Sequence, residues 1–167
     1  GLMEVVSYNS SRKLTNLSLS EVGRVYSLDK EVTLVSGALT GYHSQSLWQG
    51  RKEKVDFYLV KGMLECLAQK LGVELEFLPA TDCPDGFHPK KTADVYYNGE
   101  KIGLLGAIHP KLASKNDVDE VYMFELAVDS IINREDVVNR FVSIPKYPSV
   151  SRDIAIVCDK TVTAKQI

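Results

Sequence analysis

Two His-Pro-Lys tripeptides, His88-Pro89-Lys90 and His109-Pro110-Lys111, carry residue types that could perform metal or phosphate chemistry. Asp82 and Asp85 precede the first tripeptide and could add ligands. A metal-assisted hydrolase would use these two loops together with the region of Glu21. Zinc sites need three or four converging ligands and normally show tighter spacing. Loop ends with structural hydrogen bonds are therefore the favoured interpretation, and we expect no metal.

The three cysteines, Cys66, Cys83 and Cys158, are far apart and form no C-x-x-C motif. This pattern is typical of reduced thiols in a cytoplasmic protein. Cys66 falls on the apolar stripe of a predicted helix, which favours a thiol in the core over a nucleophile. No apolar run approaches roughly 20 residues and no signal peptide opens the chain, so we expect neither a membrane span nor secretion.

Composition predicts one globular core with an appendage. The 167 residues are 44% hydrophobic and 25% charged, which is sufficient for a real core. The net charge is −2, but residues 140–167 are locally basic, so the rest of the chain is acidic. A module that binds nucleic acid by itself would carry a strongly basic face. The main body is therefore not expected to do so.

The segment Ala93–Pro110 predicts a β-hairpin. Asn98-Gly99 suits a two-residue type I′ turn, whose central residues both need positive φ. The turn would set the register so that four apolar residues share one face: Ala93, Val95, Ile102 and Leu104. Gly103 and Gly106 weaken a strand, so we expect a helix or a ligand to approach the backbone there.

A helix is predicted from the N-cap Asp56 to Leu71, with Gly72 as a left-handed cap. Its apolar stripe would consist of Val55, Leu59, Met63, Cys66, Leu67 and Leu71. Gly62 costs about 1 kcal/mol in a helix interior relative to alanine. We therefore expect close packing at that glycine.

The remaining periodicity predicts an α+β fold in which helices flank an antiparallel sheet. Strands are predicted at Leu17–Leu28, Val32–Thr40, Val73–Leu78, Val121–Val128 and Arg152–Cys158. Shorter helices are predicted up to Asn9 and at Asp129–Asn139, and a short helix or turn at Lys111–Asp119. The strand Val32–Thr40 reads as central and covered on both faces. Loops are expected at Gly41–Lys54, anchored by Trp48, and at Pro79–Pro89.

A prolyl linker at Ser143–Val150 divides the chain into a domain of residues 1–142 and a segment of residues 143–167.

Short motifs in one order run through nearly the whole chain. They are Ser20–Tyr26, Val55-Asp56-Phe57 through Lys61-Gly62, Phe87-His88-Pro89, Asn98-Gly99-Glu100, Ile102-Gly103 with Gly106, His109-Pro110, Val121–Leu126 and Tyr147–Ala155. Each motif is weak alone, but together they are specific. The chain resembles the family of beta subunits of bacterial phenylalanyl-tRNA synthetase.

This resemblance implies that residues 1–142 form a class II synthetase-like domain that no longer catalyses. Residues 143–167 would be a linker and the first strand of a ferredoxin-like anticodon-binding domain. The resemblance also implies an alpha-two, beta-two enzyme in which the alpha subunit uses ATP and Mg²⁺ to charge tRNA(Phe), with no cofactor in this chain. The domain would serve structure and assembly.

The residues at the family's catalytic positions agree with a lost active site. Active members carry an arginine after the strand that corresponds to Gly23–Tyr26, and Ser27 stands there. They also carry glycines and an arginine in a late Phe-Gly-x-Gly-x-Glu-Arg motif, where this chain has Glu125, Ala127 and Ser130. Phosphate oxygens require charge-assisted donors, and a carboxylate repels them. The sequence therefore predicts an inactive site on a retained scaffold.

Lys146, Tyr147 and Arg152 could touch tRNA by phosphate contact and stacking, although a linker with a few basic residues is the commoner explanation. Two other functions remain open. One is the metal-assisted hydrolase of the His88 and His109 loops. The other is a module that binds a small ligand in the relic pocket.

Overall fold

The computed structural model describes residues 1–28, 30–45, 48, 52–134, 141, 143–162 and 164–167. The chain divides into two units, residues 1–136 and 137–167. The predicted α+β class with an antiparallel sheet is confirmed in the first unit. In the described part of the chain the strands are β1 (Leu17–Tyr26), β2 (Glu31–Thr40), β3 (Tyr42–Gln45), β4 (Lys52–Lys54), β5 (Glu76–Pro79), β6 (Phe87–Tyr97), β7 (Glu100–Ile108) and β8 (Val121–Ala127). The helices are α1 (Leu2–Ser10), α2 (Phe57–Leu71), α3 (Pro110–Lys115) and α4 (Asp129–Ile132).

Six strands form one antiparallel sheet in the order β1-β2-β8-β7-β6-β5. Helix α2 covers its first face, where the core includes Val60 and Leu64 from the helix and Leu105, Phe124 and Leu126 from the sheet. Helices α1 and α3 cover one end of the second face. That smaller core contains Val6, Ala38, Ile108, Ala113 and Val121. None of the described helices is long and apolar enough to cross a membrane.

Helix α2 has the predicted ends but a different buried side. The Asp56 carboxylate accepts the N–H of Leu59 at 2.7 Å, and Gly72 takes a left-handed conformation. The buried residues are Val60, Leu64 and Ala68, whereas Met63, Leu67 and Leu71 are each 41% exposed. The predicted stripe was wrong because the helix is apolar on two sides. Cys66 is consequently exposed and is no core thiol.

The hairpin turn forms as predicted, with φ of 50° at Asn98 and 80° at Gly99. The predicted register is correct only for the residues next to the turn. Tyr96 faces Lys101, but Val95 faces Gly103, because Ile102 is an extra residue in β7. Leu104 therefore lies on the second face, and Leu105 takes the predicted place in the core.

The atoms nearest to the glycines of β7 belong to the neighbouring strands and not to a helix. A Cβ on Gly103 would lie 1.9 Å from the carbonyl oxygen of Glu125 in β8, and one on Gly106 would lie 2.4 Å from the Thr92 hydroxyl in β6. Gly62 has open space around it, so the expected close packing there was wrong.

Several loop and strand predictions need correction. Gly41–Lys54 contains the β3–β4 ladder, and Trp48, 88% exposed, does not anchor it. Strand β6 begins at Phe87, inside the predicted loop Pro79–Pro89. Strand β2 lies inside the sheet, but Glu31 is exposed and Val32–Ser36 are half-buried, so its first half is not covered on both faces. Helix α4 ends at Ile132, and residues 135–139 of the longer predicted helix lie outside the described residues.

The second unit contains a 3₁₀ turn at Ala164–Gln166. The predicted strand Arg152–Cys158 is exposed and irregular, with Ile154 80% exposed. A strand needs a neighbour to satisfy its backbone groups. The described residues of this unit contain no strand, so the predicted strand Arg152–Cys158 was wrong. The proposed boundary after residue 142 stays a prediction.

Candidate functional site on the open sheet face

A row of six residues crosses the second face of the sheet beyond the ends of α1 and α3. We call it the transverse row. Its members face one another strand by strand and are Glu21, Ser36, Glu125, Leu104, Asp94 and Leu78. Adjacent strands lie about 4.8 Å apart. Carboxylates from β1, β8 and β6 therefore stand on one surface.

Asp94 is the buried member of the transverse row. Its side chain is 1% exposed, and Oδ1 lies 2.8 Å from the Lys101 ammonium. Oδ2 accepts a long hydrogen bond from the N–H of Thr81. The hydrogen bond to Asp94 raises the pKa of Lys101. This pair could not be predicted from the sequence, because the extra residue at Ile102 shifts the register of the hairpin and decides that Lys101 lies beside Asp94.

Glu21 and Glu125 are both exposed, and among the described residues neither forms an ion pair. Arg24 follows Glu21 on β1 but has the opposite parity, so its side chain belongs to the other face. Its guanidinium donates to Glu31 at 2.8 Å. The transverse row thus contains the unpaired carboxylates of Glu21 and Glu125, and the neighbouring Lys101 ammonium is already paired with Asp94.

The remaining positions assigned to the lost site lie at three places in the first unit. The Ser27 hydroxyl accepts the N–H of Lys30 at 3.2 Å and closes the turn after β1. Ala127 pairs with Leu34 one step beyond the transverse row, and Ser130 is exposed in α4. The sheet brings Glu125 and Ala127 to one face, but Ser27 and Ser130 lie outside the row.

Helix α4 is joined to β2 by a carboxylate. Asp129 Oδ2 accepts the backbone N–H of Thr33 at 2.8 Å, and this hydrogen bond lowers the pKa of Asp129. In return, the N–H of Val128 donates to the carbonyl of Thr33. The start of α4 is thereby fixed against the sheet beside the transverse row.

The two histidine loops come together without forming a metal centre. The rings of His88 and His109 stack with centroids 6.3 Å apart. Each Nδ1 accepts a backbone N–H, from Lys90 at 3.1 Å and from Lys111 at 3.2 Å. Among the described residues no three potential metal ligands converge. The contacts therefore favour the structural interpretation over the hydrolase, and Asp82, Asp85 and Glu21 do not join the pair.

Among the cavities of small-molecule size, two lie close together, and of the transverse row Leu78 alone contributes to their lining. One, about 580 Å³, includes His88, Lys91 and Glu120 in its lining. The other, about 490 Å³, lies at the start of α2 beside Phe77 and Tyr122. The Glu120 carboxylate contacts residues of both cavities. It accepts a hydrogen bond from the Tyr122 hydroxyl and pairs with the Lys91 ammonium at 2.6 Å. The hydrogen bond from the Lys91 ammonium is the main cause of the lowered pKa of Glu120, and the Tyr122 hydroxyl lowers it further. Burial raises the pKa of Tyr122.

The candidate tRNA residues Lys146, Tyr147 and Arg152 are all exposed in the second unit. Tyr147 is 86% exposed, so its ring is available for stacking. Lys146 and Tyr147 lie in a bend between Pro145 and Pro148.

Residues 1–128 match the family model described as the phenylalanyl tRNA synthetase beta chain CLM domain. Curated relatives named phenylalanine–tRNA ligase beta subunit include proteins of Staphylococcus epidermidis and Bacillus subtilis, each 42% identical over 99% of this chain. A relative from Staphylococcus aureus is 37% identical over the same share. The chain spans about a fifth, 21%, of the length of each of these relatives.

The fold has a solved neighbour, the pyrrolysyl-tRNA synthetase of Desulfitobacterium hafniense. The TM-score is 0.56 at 14% identity, covering 78% of this chain and 46% of the neighbour. This likeness concerns the fold alone.

Proposed function

Because this chain belongs to the family of phenylalanyl-tRNA synthetase beta chains, we propose that it is a non-catalytic structural and assembly domain of that subunit. Residues 1–142 would be a class II synthetase-like module, in the cytoplasm. The observation that carries the proposal is the transverse row, where an active sheet of this kind would need cations for an adenylate. Glu21 and Glu125 stand there instead.

The transverse row does not fit ATP. A triphosphate bound on the sheet would need Arg or Lys side chains close to its oxygens, because interactions between charges strengthen as water is excluded. The Lys101 ammonium is engaged by the buried Asp94 carboxylate, and Arg24 pairs with Glu31. We therefore assign ATP and Mg²⁺ to another chain of the holoenzyme.

Assembly with an alpha subunit in an alpha-two, beta-two complex is the second part of the proposal. Helix α2 carries apolar side chains on the side turned away from its own core, at Met63, Cys66, Leu67 and Leu71. Exposed apolar surface of this kind favours contact with another protein surface. In the second unit, Lys146, Tyr147 and Arg152 would contact tRNA(Phe) by phosphate contact and stacking.

The proposal is tested by phenylalanine-dependent pyrophosphate exchange. The 167-residue chain alone should give no exchange above the buffer rate. A complex of an alpha subunit with a full-length beta subunit that contains this sequence should be active. Glu21→Ala and Glu125→Ala in that complex should leave kcat and the KM for ATP within about twofold, since removing a group that does not touch the transition state changes neither.

Exchange by the chain alone would overturn the non-catalytic assignment. A loss of tenfold or more in kcat from Glu125→Ala, with normal complex formation, would also overturn it. Copurification of the full-length beta chain with the alpha subunit tests assembly separately. Failure to copurify would reject the assembly role and leave the catalytic result standing.

A further inference from the structure

The two histidine loops repeat one local structure. His88 and His109 each precede a proline and a lysine, and each imidazole accepts the backbone N–H of that lysine through Nδ1. At His109 the accepted N–H belongs to the first turn of α3, so the imidazole caps the start of that helix. Both Nδ1 atoms are therefore hydrogen-bond acceptors in the folded protein.

This arrangement fixes where each imidazole carries its proton. A nitrogen that accepts a hydrogen bond has no proton of its own, so the single proton of the neutral imidazole lies on Nε2. A second proton can bind only at Nδ1. A protonated Nδ1 is a donor and no longer accepts the N–H of Lys90 or Lys111. Protonation of either histidine therefore breaks the hydrogen bond that its imidazole makes in the fold.

The surroundings of the two histidines do not compensate for that loss. The imidazoles stack with centroids 6.3 Å apart, so two protonated imidazoles would repel each other. The charged residues of the surrounding segments are Lys90 and Lys91 of β6, Lys111 of α3, Asp85 of the loop before β6, and Asp117, Asp119 and Glu120 of the segment before β8. The Glu120 carboxylate is engaged by Lys91 at 2.6 Å. Lysines and carboxylates are nearly equal in number, so the broken hydrogen bonds decide the cost of protonation.

The cap at His109 supports the helices on the second face of the sheet. The His109 carbonyl accepts the N–H of Ala113 at 3.0 Å, and Ala113 is buried in the smaller core with Val6 of α1. The residue after α3 also holds α1, because the Ser7 hydroxyl donates to the Asn116 carbonyl at 2.8 Å. Loosening the start of α3 would consequently loosen α1 as well.

We propose that the His88–His109 pair is an acid-sensitive device, which holds α1 and α3 against the sheet at neutral pH and loosens them in mild acid. Histidine side chains in unstructured chains bind protons near pH 6.5. The unfolded chain then binds protons that the folded pair excludes. Stability is therefore complete above this range and falls as the pH drops below about 6.5. The proposal is independent of whether the domain binds an alpha subunit.

A double asparagine variant tests the device, because the asparagine side-chain oxygen corresponds in position to Nδ1 and accepts a backbone N–H at any pH. His88→Asn with His109→Asn keeps both caps and removes both titrating groups. A histidine that stays unprotonated in the folded state costs roughly thirtyfold in the folding equilibrium at pH 5. Between pH 7 and pH 5, urea denaturation should show that wild type loses at least about tenfold more in this equilibrium than the variant.

Two further variants serve as controls. His43, exposed on β3, is the third histidine of the chain, and His43→Asn should retain the pH dependence of wild type. His109→Ala removes the cap together with the titrating group, so it should be less stable than His109→Asn at pH 7. Equal pH dependence of wild type and the double asparagine variant would overturn the proposal, as would an equal reduction by His43→Asn.

Nuclear magnetic resonance of the chain with ¹⁵N-labelled histidine tests the position of the proton directly. At pH 7.5 we expect the proton on Nε2 in both imidazoles, and the amide signals of Lys90 and Lys111 should shift together with the ring nitrogens as the pH falls. A proton on Nδ1 of either imidazole at pH 7.5 would overturn the proposal, because that nitrogen could not accept a hydrogen bond.

Hydrogen exchange extends the test to a full-length beta subunit that contains this sequence, in complex with an alpha subunit. After correction for the intrinsic rate, amides of Leu2–Ser10 and Pro110–Lys115 should exchange at least about tenfold faster at pH 5.5 than at pH 7.5. The double asparagine variant should show no such increase. Equal exchange at the two pH values in wild type would show that the device does not operate in the assembled enzyme and would overturn the proposal.

Discussion

The Lys101 ammonium lies 2.8 Å from Oδ1 of Asp94, across the hairpin from a carboxylate that is 1% exposed. No other donor reaches that oxygen among the described residues. The pair lies directly beside the register shift at Ile102. A buried carboxylate without a cation is costly, and this dependence can be measured.

We expect Lys101→Met to lower the free energy of unfolding by about 2 kcal/mol. Breaking a fully buried pair costs about 3–5 kcal/mol, and the partial exposure of Lys101 reduces that cost. Urea denaturation at pH 7 gives the value. Lys90→Met, at an exposed lysine of β6, serves as the matched control and should change stability by less than about 0.5 kcal/mol. Equal effects would show that the contact with Asp94 is unimportant.

The same pair predicts a loss of stability at alkaline pH. Because the pKa of Lys101 is raised in the folded state, its contribution is complete below the ordinary value of 10.5 and disappears as pH rises through the raised value. The difference in unfolding free energy between wild type and Lys101→Met should therefore shrink above pH 10.5. A constant difference would contradict this assignment.

Two glycine-to-alanine substitutions should have opposite signs. Gly103→Ala places a methyl group 1.9 Å from the Glu125 carbonyl and should cost at least about 3 kcal/mol, because β7 and β8 must separate. Gly62→Ala, at an open position inside α2, should gain about 0.5–1 kcal/mol through the unfolded state. Thermal unfolding compares both with wild type. Destabilisation by Gly62→Ala would mean that the helix packs differently.

Acid should weaken the protein through Glu120. Its pKa is lowered in the folded state by the Lys91 ammonium and then by the Tyr122 hydroxyl, so its contribution is present above pH 4.5 and is lost as pH falls through the lowered value. Glu120→Gln should reduce the fall in unfolding free energy between pH 5 and pH 3. An unchanged pH profile in this variant would remove Glu120 from the explanation.

Removal of residues 143–167 should leave the thermal unfolding of the first unit nearly unchanged. The second unit is exposed and, where described, contains little regular structure, so it contributes little burial of its own. Differential scanning calorimetry of both forms makes the comparison. A fall in midpoint of more than about 5 °C would mean that the tail stabilises the first unit and that the boundary at residue 142 is misplaced.

Local chemistry predicted the turn at Asn98-Gly99 and the caps of α2 at Asp56 and Gly72, because each depends on backbone preferences of a few residues. The buried side of α2 could not be predicted. Its apolar residues occupy two sides, and only contact with the sheet decides that Val60 and Leu64 are inside.

The candidate site could likewise be predicted from the sequence only in part. Glu125 and Ala127 could be identified from one short motif. The transverse row could not, since it requires knowing that Ser36 meets both Glu21 and Glu125 across three strands. The ion pair of Asp94 depended likewise on an extra residue at Ile102, which alternation of apolar residues does not reveal.

The strand order also governs how the sheet can fold. The ladders β1–β2 and β6–β7–β8 each join neighbours in the sequence, and among the described strands the β2–β8 ladder joins the two halves, as at Thr40 and Val121. That contact closes a loop of roughly 80 residues, which costs chain entropy before the paired strands stabilise the sheet. Folding is slower as a result. During synthesis the β1–β2 hairpin emerges long before its second neighbour. Until β8 arrives, the apolar side chains of β2 are unprotected, and this interval is when the nascent chain is most exposed to misassociation.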